Sequence, residues 1–160
     1  MSNLKIVTIP DPILTRKTEA VKDFNPALNK LVTDMIQACK TANGIGLAAP
    51  QIGKSIRLCI IDLDHLGLAP FALVNPQIKK RSWKKIEMEE GCLSIPGIFG
   101  IVKRPAKISV EAQNLDGKKH TFVADGLVAR VIQHEVDHLD GILFTSKMSK
   151  QTLGRPKDKM

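Results

Sequence analysis

The sequence predicts one domain of mixed helix and strand, and three observations carry that reading. Apolar residues recur at helical spacing near both ends of the chain, from 26 to about 42 and from 125 to about 140. Between them lie runs rich in β-branched and apolar residues. The third observation is apolar/polar alternation on both sides of Asp116-Gly117, a strong short-range hairpin signal. With 160 residues, 43% of them hydrophobic, the chain can bury one core and is too short for a second independent domain.

In chain order, the first residues form an extended arm punctuated by Pro10 and Pro12. Asn25 can cap a helix whose first position is Pro26, a residue already set to helical φ. Leu28, Leu31, Val32, Met35, Ile36 and Cys39 share its apolar face, so Cys39 reads as a core thiol. Asn43 and Gly44 end the helix and open "GIGLAAPQIG" (44 to 53), a loop whose glycines let the backbone approach another group closely. "IRLCIID" (56 to 62) and "FALVNPQI" (71 to 78) read as strands, with Cys59 in the core, and "KISVEAQNLDGKKHTFVA" (107 to 124) as a hairpin. His65 falls in a loop and His120 in the second hairpin arm, each alone and without an implied role. Asp125 is a plausible N-cap for the second helix, and Gly141 stops it.

Composition excludes several classes. No apolar run reaches the roughly 18 residues of a membrane-spanning helix, and "MSNLKIVTIP" lacks the pattern of a secretory signal, so the expectation is a cytoplasmic protein with no membrane contact. Three cysteines, Cys39, Cys59 and Cys92, are too few and too scattered for a disulfide framework. The net charge of +8 is concentrated in "KKRSWKK" (79 to 85) and in residues 146 to 160. Such clusters are either solvated surface or a contact for nucleic acid or acidic partners.

The second helix carries the chemistry. Leu127, Val131, His134 and His138 line one mostly apolar face, so two imidazoles point inward, where unpaired ones are costly. Four residues apart on a helix, they can reach one metal ion, while Glu135, about 100° round, reaches the water bound to it. After His138 the chain offers only "LDGILFTSKMSK", which holds no further ligand of the longer zincin kind. Upstream, "EEGCLSIPG" (89 to 97) presents Cys92. One thiolate and two imidazoles leave one position open for water, the arrangement of a catalytic rather than a structural site.

"GIGLAAPQ" (44 to 51), "EGCLS" (90 to 94) and "QHEVDH" (133 to 138), in this order and at these separations, resemble the three motifs of the peptide deformylases. The agreement runs from "IPDPILTRK" (9 to 17) to "GILF" (141 to 144). The resemblance implies an α+β fold, small antiparallel sheets packed around a C-terminal metal-binding helix, with a second, N-terminal helix. It implies Fe2+ as the working metal, one per chain. Divalent-ion affinities favour zinc at such ligands, so Zn2+ or Ni2+ in the isolated protein is compatible with it. It also implies hydrolysis of N-formyl-methionyl peptides to release formate.

In that reading Cys92, His134 and His138 hold the metal and Glu135 moves protons. By similarity to the family, the backbone N–H of Leu93 and the side-chain amide of Gln51 stabilise the oxyanion. Ile45 and Gly46 match positions whose backbone pairs with the substrate as an added strand, and Ile45 and Val131 line the methionine pocket. Arg104 is expected to pair with Asp137 or Glu90 behind the ligands.

Two rivals remain open at this level: another His-Glu-His metallopeptidase, and a non-catalytic, metal-stabilised RNA-binding protein. A thiolate ligand argues against the first, and the absence of a fourth ligand against the second. Residues 1–148 are expected to form the catalytic domain and 149–160 a short, basic, unstructured tail, too short for the C-terminal helix of many relatives. "GIFGIV" (97 to 102), where many relatives carry a charge, implies a more apolar pocket mouth. No sequence-specific nucleic-acid partner is expected, and the basic segments are candidates for weak contact with the ribosome surface.

Overall fold

A computed structural model describes residues 3–154. Helix α1 (Pro26–Thr41) starts where the sequence predicts: Pro26 occupies its first turn, and the Asn25 side chain accepts the Leu28 N–H at 3.0 Å. This bond satisfies one of the amides that a helix start leaves without a partner. The strands follow as β1 (Gly46–Ala48), β2 (Leu58–Leu63), β3 (Leu68–Arg81), β4 (Lys85–Cys92), β5 (Ile95–Pro105), β6 (Lys107–Gln113), β7 (Lys119–Asp125) and, after helix α2 (Gly126–Leu139), β8 (Met148–Thr152). They make two antiparallel sheets, one ordered β1-β2-β3-β6-β7 and the other β4-β5-β8.

All six residues of β2 are buried, because the larger sheet is covered on both faces there. Leu58 and Ile60 join Val32 and Met35 of α1, while Cys59 and Ile61 join Val131 and Ile132 of α2. Alternate residues of a strand point to opposite faces, so one apolar run serves two helices. Full burial of each Leu or Ile contributes roughly 1.5–3 kcal/mol. The α2 face that carries the histidines is thereby clamped against the sheet.

The C-terminal end of α2 is equally constrained. Gly141 has φ of 73°, and a Cβ there would lie 2.8 Å from the backbone of Thr15. Only glycine allows that turn and that contact together. The N-terminal arm closes the same end, with the Thr18 hydroxyl donating to the Leu139 carbonyl at 2.8 Å.

Several expectations need correction. The "GIGLAAPQIG" loop contains β1 and a 3-10 turn, Ala49–Ile52, because its backbone is completed by β2 rather than by its own sequence. Asp125 sits at the start of α2, but its side chain makes no capping bond. The 114–118 turn is closed by the Asn114 carboxamide, which accepts from the Asp116 and Lys118 N–H groups. Strands β4 and β5 went unread, since their side chains do not alternate cleanly. The boundary at 148 cuts through β8, which pairs with β5, so residues 149–152 of the expected tail are strand. Residues 155–160 lie outside the described residues. In the "GIFGIV" stretch, the Phe99 ring lies against the backbone of Gly91 and Gly154.

Candidate active site

Two elements, α2 and β4, bring the candidate donor side chains together. His134, Glu135 and His138 come from the helix itself. Cys92 ends β4, where pairing with β5 shifts register between Gly91 and Cys92, an irregularity that re-aims a side chain. The ligand atoms of Cys92, His134 and His138 all lie within 4.8 Å of one another, and His138 Nε2 is 3.1 Å from Cys92 Sγ.

A buried ionic network backs this trio. Glu90 accepts two bonds from Arg104, at 2.6 and 2.8 Å, one from Arg130 Nη1, and one from His134 Nδ1 at 2.9 Å. Burial opposes ionisation of Glu90, yet the bonds from Arg104 and His134 override it and hold the carboxyl well below the usual carboxylate range. An ionised Glu90 can only accept, so His134 Nδ1 carries the proton and its Nε2 is left for a cation. Arg104 also donates to Asp137 at 2.8 Å, and Asp137 accepts from Lys147 at 3.1 Å.

The donor set fits a divalent cation. His138 is 1% exposed, its Nδ1 has no hydrogen-bond partner among the described residues, and burial followed by the His134 charge pushes its pKa well down. It is therefore neutral, the form that ligates. Burial would lower His134 too, but bonds to Cys92 and Glu90 outweigh it and raise its pKa. The same field that favours positive charge on His134 favours a cation between the ligands. Thiolate and imidazole donors suit zinc or ferrous iron.

Glu135 faces the trio from the side. It is 4% exposed, its Oε2 has no hydrogen-bond partner among the described residues, and burial pushes its pKa up to about 7, with the His134 charge pulling the other way. Such a carboxyl exchanges protons readily near neutral pH. Gly46 makes room for it: a Cβ there would lie 2.7 Å from Glu135 Oε1 and 2.9 Å from Val131 Cγ1. This is the close approach that the glycine-rich motif implies.

Gln51 is 1% exposed and oriented by its own turn. Its Oε1 accepts the Ala48 N–H at 2.9 Å, which turns Nε2 toward Ser94 Oγ at 3.1 Å and Cys92 Sγ at 3.5 Å. Leu93 lies half-buried beside Cys92, in the tight β4–β5 turn, with its side chain against Gly44 and α1. Strand β1 is an edge of its sheet. The Ile45 carbonyl accepts from the Asp62 N–H at 2.9 Å, and antiparallel alternation then turns the polar groups of Gly46 to the open side.

Every residue singled out in the sequence thus lies in one neighbourhood, and two were missed. Arg130 is buried and donates to Glu90 and to the Ile86 and Val102 carbonyls. An arginine one turn before His134, between Ala129 and Val131, was a legible signal of a buried charge that needs a carboxylate. Ser94 left no such mark, since its role rests on the turn geometry.

The network predicts a measurable cost for Arg104→Ala. Glu90 and Asp137 would lose their shared partner, destabilising the fold by about 3–5 kcal/mol. His134 would lose its support, lowering metal affinity by about 10- to 100-fold. Metal titration of the variant checks this, and unchanged affinity refutes it.

Comparison with known proteins agrees with this geometry. The polypeptide deformylase family profile matches residues 3–153. A peptide deformylase of Dictyoglomus thermophilum is 43% identical over 149 residues, covering 93% of this chain and 95% of that one. The crystal structure of peptide deformylase from Thermotoga maritima superposes with a TM-score of 0.88 at 38% identity, covering 91% of this chain and 97% of that one. A Synechococcus elongatus peptide deformylase in complex with actinonin gives a TM-score of 0.89 at 37% identity, over 93% and 82% of the two chains.

Proposed function

The chain belongs to the polypeptide deformylase family, and on that premise we propose how its residues perform deformylation. The enzyme is a metal-dependent hydrolase that removes the N-formyl group from formyl-methionyl peptides. The observation that carries the residue assignment is the buried Glu135 oxygen, without a hydrogen-bond partner among the described residues, beside the Cys92, His134 and His138 donors and against the edge strand β1.

Cys92, His134 and His138 would hold the ion, for which ferrous iron is the proposed working metal, with zinc or nickel able to replace it. Bound there, it supplies the Lewis acidity that lets water ionise near neutral pH. Glu135 accepts the proton of the attacking water and later delivers it to the leaving amine nitrogen, so that water and the formamide become formate and a free amino terminus. The Gln51 amide and the Leu93 N–H donate to the formyl oxygen as it gains charge. Gly46, with Ile45, pairs with the peptide backbone along the open edge of β1, and Val131 and Ile45 contact the methionine side chain.

Because the Ala48 N–H holds Gln51 in place before substrate arrives, its donor acts chiefly in the transition state. Gln51→Ala should lower kcat on the order of 10²-fold with little change in KM. A rise in KM alone would make it a ground-state binding residue. Anaerobic assay on a formyl-Met peptide, with metal analysis of the same sample, tests the whole assignment. Equal and lasting activity of zinc and iron forms in air would remove the case for iron.

The described residues form one catalytic unit, and among them no helix is long and apolar enough to cross a membrane. We place the enzyme in the cytoplasm, where formylated nascent chains emerge. The basic C-terminal residues would add salt-dependent attraction to the ribosome surface. Co-sedimentation of full-length chains and of chains lacking residues 153–160, which leaves β8 intact, tests this across a salt series, and identical curves refute it. Of the two rivals, the closed RNA-binding site lacks a fourth ligand among the described residues. A different metallopeptidase is not favoured by a family match over nearly the whole chain.

A further inference from the structure

The passage from one sheet to the other carries features that deformylation does not use. Trp83, the one tryptophan of the chain, lies between β3 and β4 and is 100% exposed. Burying an indole normally stabilises a fold, so a fully solvated one at a fixed position is unusual. The position is fixed: Ser82 N–H donates to the Lys107 carbonyl at 2.9 Å, Ala106 N–H to the Lys84 carbonyl at 2.9 Å, and Lys107 N–H to Ser82 Oγ at 3.1 Å. The indole is therefore held out on a braced turn.

Its surroundings are cationic. Lys79, Lys80, Arg81, Lys84, Lys85 and Lys103 are all exposed, and none forms a salt bridge among the described residues. Arg81, Lys85 and Lys103 also line a cavity of about 450 Å³, with Arg104 and Lys147, both paired with Asp137, on its wall and no carboxylate among its lining residues. With only Glu87, across the ladder from Lys103, as a nearby counter-charge among the described residues, these six cations repel one another and lower stability unless an anion shares the surface. A ligand that meets both features offers phosphates to the cations and flat rings to the indole.

We propose that the Ser82–Lys85 turn and the adjoining cavity form a binding surface for single-stranded RNA, one base stacking on Trp83 and its phosphates on Arg81, Lys84, Lys85 and Lys103. Stacking and phosphate contacts carry no base code, so binding is independent of sequence. The surface is separate from the open edge of β1 and does not depend on the catalytic assignments.

Trp83 is its own reporter. Titrating the full-length metalloenzyme with an oligouridylate of about 12 nucleotides should quench its fluorescence along a saturable curve. Affinity should fall with salt by about 0.7 log units per log unit for each phosphate contact. With labelled RNA and anisotropy readout, Trp83→Ala should weaken binding about 10-fold and Trp83→Phe should recover most of it. Lys84→Glu with Lys85→Glu should weaken binding and flatten the salt slope, while turnover of a short formyl-Met peptide stays unchanged in all three variants. Absence of quenching, or equal affinity in Trp83→Ala, overturns the proposal. So does equal quenching by polyglutamate or by vesicles of anionic phospholipid, which would make the surface one for acidic proteins or membranes. Loss of RNA binding on removal of residues 153–160, with Trp83→Ala unaffected, also overturns it, because the tail would then be the site.

Discussion

Glu135→Ala should lose deformylation on the order of 10⁴-fold while keeping its metal, the upper end of what one general acid–base residue contributes. The two halves of that expectation come from different observations. Glu135 is next to His134 in sequence, yet the helix sets it about 100° round, beside the Cys92, His134 and His138 group rather than within it, so its removal should take no ligand from the ion. Burial raises its pKa to about 7, which makes the carboxyl a competent proton carrier at the pH where the ordinary group is spent as a carboxylate. Glu135→Gln separates the remaining alternatives, since it keeps the volume beside Gly46 and Val131 and removes only the proton transfer. Both variants should be equally inactive and should contain one equivalent of metal. Parallel loss of metal and activity would make Glu135 a ligand or a structural support, and activity in Glu135→Gln would remove the proton-transfer role.

Cys92→Ser should lose metal and activity together. A serine hydroxyl at that position is a neutral, hard donor in place of a soft thiolate, and affinity for zinc or iron at mixed nitrogen and sulfur sites depends on the thiolate. The lesion extends further than one bond. His138 Nε2 sits 3.1 Å from Sγ, so a divalent ion would face two imidazoles and no anionic donor. The three thiols also give an internal control. Cys39 and Cys59 are fully buried, and burial, with the Glu135 and Asp62 charges, pushes Cys39 up to about 12. Alkylation of the folded, metal-stripped protein should therefore modify Cys92 alone, and added metal should protect it. Retention of metal by Cys92→Ser, or protection of a different thiol, would exclude Cys92 as a ligand.

Part of this site was legible because helical geometry is local. His134, Glu135 and His138 lie on one helix, so their spacing by itself places two donors over one point and a carboxyl beside it. The apolar residues around them announce burial, and burial of paired imidazoles announces a shared partner. Asn25 and Pro26 mark a helix start through bonds that span three residues. The run from Leu58 to Ile61 is apolar without alternation, which already states that both its faces are covered.

What no local rule contains is any pairing across the chain. Cys92 reaches α2 through a register shift between two strands, and those strands went unread because β4 and β5 are partly exposed and their polarity does not alternate cleanly. Residues 149–152 read as tail because their strand character is supplied by β5, not by their own polar sequence. Glu90 illustrates the limit most directly: the sequence offers it and Asp137 as partners for Arg104, and only the folded chain shows both pairings and adds Arg130 and His134 around Glu90. Spacings of a few residues sufficed for the two helices, the hairpin and the placement of His134, Glu135 and His138 on one helix. The open edge of β1, the burial of Arg130 against Glu90 and the exposure of Trp83 follow from tertiary structure alone, because each depends on which distant segment does or does not come to cover it.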